Sequence, residues 1–176
     1  MSHEEAKVAL EKSYKIFGDV GLTLNEAISK VDDTLACIDM GVRSMKANGR
    51  EGGIYHCIVN KSADEVAKLH GSKLLDWQVE VFKGIIKSFG SREDDRLTIA
   101  DIVGLKAGHK NVSNEASYQI LSFANHLVKE FWLARPENSA YYKLGIRSYV
   151  ELPELLKSYD LTVPQVCFFF RSKSRR

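Results

Sequence analysis

Apolar residues recur along most of the chain at the three- and four-residue steps of an amphipathic helix, and glycines or short β-prone runs interrupt them. Ser2 with Glu5 three positions later is a capping box, and Val8, Leu10, Tyr14 and Phe17 follow before Gly18. This predicts a helix of about four turns. Thr23 and Glu26 form a second box, and Ile28, Val31, Leu35 and Ile38 carry the next helix toward Gly41. Val42 to Ala47 and Ile54 to Asn60 are β-prone and flank Asn48 to Gly53, which predicts a hairpin with a glycine-rich tip. Ser62 and Glu65 open a further helix. After Gly71, Leu74, Leu75, Val81, Phe82, Ile85, Ile86 and Phe89 mark a longer one that ends at Gly90.

Ser91 to Arg96 is almost entirely charged, has no apolar anchor and reads as a linker. Beyond it the order repeats. A short helix spans Thr98 to Leu105, a turn runs from Lys106 to Asn111, and a helix opens at Ser113 with Ile120, Leu121, Ala124, Leu127, Val128 and Phe131 on one face. A strand from Phe131 to Arg135 then turns through Pro136 to Asn138 into Tyr141 to Leu144. Two helices followed by a β-hairpin make a winged helix, so the expected fold is mainly α with short β-hairpins, arranged as tandem winged-helix domains. Tyr149, Leu152, Leu155, Leu156 and Tyr159 predict one last helix, bent near Pro153.

Hydrophobic residues make up 44% of the 176 positions and charged residues 27%, a globular composition. Lys and Arg number 25 against 23 Asp and Glu, and four of the cations, Arg171, Lys173, Arg175 and Arg176, fall in the last six positions. The body without that tail is slightly acidic, which argues against a dedicated phosphate-binding surface. Cys37, Cys57 and Cys167 stand singly, so no disulfide framework is expected, and a reducing compartment fits. No apolar run approaches the roughly 20 residues of a membrane span.

No catalytic constellation is visible: there is no nucleotide-binding Gly-Lys-Ser/Thr loop, no His-Glu-x-x-His and no Gly-x-Ser-x-Gly. Of the five histidines only His56 adjoins a cysteine, and neighbours on a strand point to opposite faces, so no zinc or other cofactor is expected in this chain. As a DNA reader the helix after Ser113 offers Lys129 against Glu115 and Glu130, a poor phosphate contact set. Lys106 and Lys110 in the preceding turn, with Arg171, Lys173, Arg175 and Arg176, are the candidate DNA contacts, for weak nonspecific binding. Large apolar side chains exceed what two small cores need. Phe123 stands off the expected apolar face, so Phe123, Tyr141 and Tyr142 are the candidate partner anchors, followed by Trp77 and Trp132, which also fit a core.

From Gly41 through Val166 the chain resembles the non-SMC element one family, the RING-bearing subunit of the cohesin-like SMC-five/SMC-six repair complex. The points of likeness are Asn48-Gly49-Arg50 leading to Ile54-Tyr55 and Val59-Asn60, the helix from Lys73 to Ile86, Val128 to Leu133, the Tyr149 to Tyr159 helix, and Val163-Pro164-Gln165-Val166-Cys167. The resemblance implies a nuclear subunit that pairs through winged helices with a MAGE-like subunit and contacts the kleisin subunit. On this reading residues 1–61 form the first winged-helix domain, with Ser2 to Phe17 filling the place of its opening helix. Residues 62–91 are connecting helices, 92–166 the second winged-helix domain, and 167–176 a basic tail where the family places its RING. Only Cys167 stands where a first zinc ligand is expected, so ubiquitin-ligase activity belongs to the family and not to this chain alone. A winged-helix DNA-binding regulator and a ligase component whose RING is missing remain the alternatives.

Overall fold

In the computed structural model, residues 1–18, 21–46, 53–61, 69, 74–105, 117–163 and the backbone of 166–167 are described. They form a mainly helical protein with small antiparallel sheets. The chain divides into two units, Met1–Ser62 with Pro164–Arg176, and Ala63–Val163.

The first unit opens with α1 (His3–Phe17) and α2 (Leu24–Leu35), and both expected capping boxes form. At the first, the Ser2 amide and hydroxyl donate to Glu5 Oε2 at 2.7 and 2.9 Å, while the Glu5 amide donates back to Ser2 Oγ at 3.2 Å. A short 3₁₀ turn, Ala36–Ile38, ends at Asp39 with φ of 54°, and the hairpin of β1 (Met40–Lys46) and β2 (Ile54–Asn60) follows. Its register pairs Val42 with Ile58 and Met45 with Tyr55. The glycine-rich tip lies largely outside the described residues. The backbone of Val166–Cys167 joins the other edge of β1 as a third strand. Val166, expected to close the second winged-helix domain, and Cys167, expected to begin the tail, therefore extend the first unit's sheet. Among the described residues the apolar core of this unit is small: Ala6, Ile28, Met45 and Val59 are buried, with Ser44 and His56 beside them as the polar members.

The second unit is built on α3 (Asp76–Gly90). Val79, Val81, Phe82, Ile85, Ile86 and Phe89 are all buried, more of the circumference than an amphipathic surface helix covers. The expected connecting helix is thus the centre of a core. Ser91 to Arg96 is an irregular stretch inside this unit instead of a boundary, because Leu97 beyond it is fully buried in the same cluster. After β3 (Leu97–Thr98) comes α4 (Ile99–Gly104), capped by Thr98 and Asp101. Then α5 (Ser117–Lys129), β4 (Leu133–Ala134) and β5 (Tyr141–Leu144) follow, in a sheet of order β3-β5-β4. The expected last helix is two, α6 (Ile146–Glu151) and α7 (Pro153–Ser158). Proline cannot donate an amide and clashes with the preceding turn, so Leu152 sits at φ −122°, ψ 40° between them. The expected helix at Ser62 and the Lys106 to Asn111 turn fall on residues outside the described set, apart from Leu69, which is helical and buried.

The end of α5 fixes the geometry around Trp132. Trp132 N–H donates to Leu127 O at 2.9 Å and Phe131 N–H to Val128 O at 3.1 Å, a Schellman closure with Phe131 in the left-handed position at φ 62°. That turn sends Phe131 outward, 63% exposed, and Trp132 inward. The expected strand accordingly starts at Leu133. Trp132 meets Phe82 edge-on at 5.5 Å, Arg147 lies 4.3 Å over its ring, and Ser148 Oγ donates to its carbonyl at 2.7 Å.

Candidate partner interface

The candidate anchors separate in the structure. Tyr142 and Trp132 are each 1% exposed and Phe123 3%, so all three are core side chains and not surface anchors, contrary to the expectation from the sequence. For Phe123 the cause is a rotation of the buried face. Ile120, Phe123, Ala124 and Leu127 point inward, and Leu121, assigned inward by periodicity, is 40% exposed. Tyr141 is half-buried under the Arg96 guanidinium at 4.7 Å, and Tyr142 lies 5.5 Å from that of Arg135. Lys106, Lys110, Arg171, Lys173, Arg175 and Arg176 lie outside the described residues.

Trp77 and Phe123 do come together. Their rings meet edge-on at 5.6 Å and form the inner side of a surface groove of about 590 Å³ between the start of α3 and the first turns of α5. Leu74, Leu75, Gln78, Tyr118, Gln119, Ser122 and His126 complete its lining. Each element supplies its residues for a local reason. Leu75 precedes α3, and its amide donates to Gln78 Oε1 at 2.9 Å, so its side chain is outside the helical face that enters the core. Tyr118 lies just inside α5, two positions before the first buried residue of that helix. Leu75 is 59% and Tyr118 72% exposed. Among the described residues no Lys, Arg, Asp or Glu lines the groove, so the described lining offers aromatic and aliphatic surface with neutral polar groups, which suits a protein segment and not a phosphate backbone. Periodicity counts Leu75 with the apolar residues of α3 and passes over Tyr118, although both are out of phase with the buried face of their helices.

Other polar groups in this unit are engaged structurally. Arg147 binds Glu151 at 2.7 Å and Glu130, just past the end of α5, at 3.3 Å. Asp101 is held below the usual carboxylate range by hydrogen bonds from Thr98, with Arg92 at 2.6 Å adding to the effect. Among the described residues no three His, Cys, Asp or Glu converge on a possible metal position.

The profile of the family described as "Nse1 non-SMC component of SMC5-6 complex" matches residues 18–152. The chain belongs to the Nse1 family. A solved structure described as "Nse1-Nse3-Nse4 complex" is similar in fold, with a TM-score of 0.76 at 15% identity over 91% of this chain and 68% of the other. No curated protein matches the chain. Membership in this family connects the chain with an SMC complex and with DNA repair in general terms.

Proposed function

We propose that this Nse1-family chain is a structural subunit of the SMC5-6 complex in the nucleus, and that it pairs through two winged helices with a MAGE-type subunit and contacts the kleisin. The order α3, β3, α4, α5, β4, β5 with sheet order β3-β5-β4 supports a winged helix in the second unit, with the turn near Pro136 to Ser139 as its wing. Its opening helix is then α3. The α1, α2 and β1–β2 arrangement supports the first. The observation that carries the partner-binding reading is the groove beside Trp77 and Phe123, with Leu75 and Tyr118 exposed at its rim and no Lys, Arg, Asp or Glu among the described residues of its lining. The DNA-binding alternative has less support, because Lys129 is the one basic residue among the exposed side chains of α5 apart from His126.

The test is replacement of Leu75 by Asp and of Tyr118 by Ala, followed by titration with a purified MAGE-type subunit. Each change should weaken binding by about 1–2 kcal/mol, roughly five- to thirty-fold, with stability unchanged within about 0.5 kcal/mol because both sites are exposed. Undiminished binding by both variants would remove the groove from the interface.

A further inference from the structure

His56 lies on β2 in the first unit and is 7% exposed. Its Nδ1 is 2.7 Å from Ser44 Oγ on β1, and its Nε2 is 3.1 Å from Nδ1 of His3. The backbone joins the same residues: His56 N–H donates to Met1 O at 2.8 Å, the chain's amine donates to His56 O at 2.9 Å, and Ser2 bridges to Tyr55. The entry into α1 is therefore fastened to β2 around one imidazole pair.

Two facing imidazole nitrogens can share a hydrogen bond only while one of them keeps its lone pair. Neutral rings satisfy this, and so does the pair carrying one extra proton. With both rings protonated, N–H faces N–H and two cations meet within contact distance. We propose that His3 and His56 act as a proton-operated latch, which holds the start of α1 on β2 at neutral pH and releases it when both rings are charged.

The surroundings favour release. Burial, the neighbouring His3 and the chain's amine all hold His56 below the ordinary imidazole value of 6.5. His3 is the first residue of α1, where a cation opposes the helix dipole. Of the adjacent carboxylates, Glu5 bonds Ser2 and Glu4 is held mainly by Lys7 at 2.9 Å, with His3 its weaker neighbour, and β1 contributes the uncharged Ser44 hydroxyl. Because the folded state binds its proton less readily than the unfolded chain, the stabilisation is complete above about 6.5 and is lost as pH falls below it.

The His56 amide reports the latch. Hydrogen exchange of the full chain, corrected for intrinsic rate, should show its protection factor falling at least tenfold between pH 7.5 and 5.0, while Ile28 in α2 and Ile85 in α3 keep theirs within threefold. His3→Asn keeps a side-chain donor but does not titrate, and in that variant the fall in His56 protection should shrink to under about threefold, what the burial of His56 alone leaves. Constant protection in the wild-type chain, the same loss in His3→Asn, or loss at Ile28 in step with His56 would each overturn the latch.

Discussion

Truncation of Phe123 to Ala separates a core residue from an interface anchor. Phe123 is 3% exposed, contacts Trp77 edge-on at 5.6 Å and sits on α5 between the fully buried Ile120 and Ala124. Removing a buried aromatic ring costs about 3–5 kcal/mol, of which the ring pair accounts for about 0.5–1.5. The groove beside Phe123 admits water and lets Trp77 relax, which places the expected loss near the lower end, about 3 kcal/mol. For a unit of roughly 100 residues, where 1 kcal/mol moves the melting temperature by about 4–8 °C, the expected fall is about 12–24 °C. Calorimetry on the isolated chain measures this, and near-UV circular dichroism should lose part of the Trp77 signal. A fall of under about 3 °C, with partner binding weakened tenfold, would refute the core assignment and restore Phe123 as an anchor.

Gly145→Ala should destabilise the second unit by at least about 2 kcal/mol in a denaturant titration, because a Cβ there would strike the backbone of Phe131 and Trp132, which a rigid Schellman turn holds in place. Deletion of Arg171 to Arg176 removes four cations and should eliminate most nonspecific DNA binding, with a shallower salt dependence of whatever remains in a filter or anisotropy assay. Metal analysis of the purified chain should find less than stoichiometric zinc; one or two ions per chain would contradict the ligand count in the sequence.

Local signals were read correctly where side chain and backbone act within a few residues. The capping boxes at Ser2 and Thr23, the β1–β2 hairpin and the Tyr141–Leu144 strand all stand where hydroxyl-to-amide bonding and β-prone alternation place them. Long-range packing was not legible in that way. The circumference of α3 is apolar enough to be a core helix, yet the charged stretch after it suggested a boundary, and only the burial of Leu97 in the same cluster shows that none exists there. The face of α5 was misjudged because Phe131 was included in its period, although the left-handed turn at that residue ends the helix and points the ring outward. Tyr142 stands among the anchor candidates for its size, and Trp132 behind it as a residue that also fits a core; size does not distinguish a ring that fills a core from one that meets a partner.

The central claim is pairing with a MAGE-type subunit. Size-exclusion chromatography with light scattering, on the purified chain mixed with a purified MAGE-type subunit at about 10 μM each, tests it most directly. The account predicts a single 1:1 peak that shifts back toward separate components with Leu75→Asp. Two independent monomer peaks at that concentration, from proteins that are each folded, would contradict it.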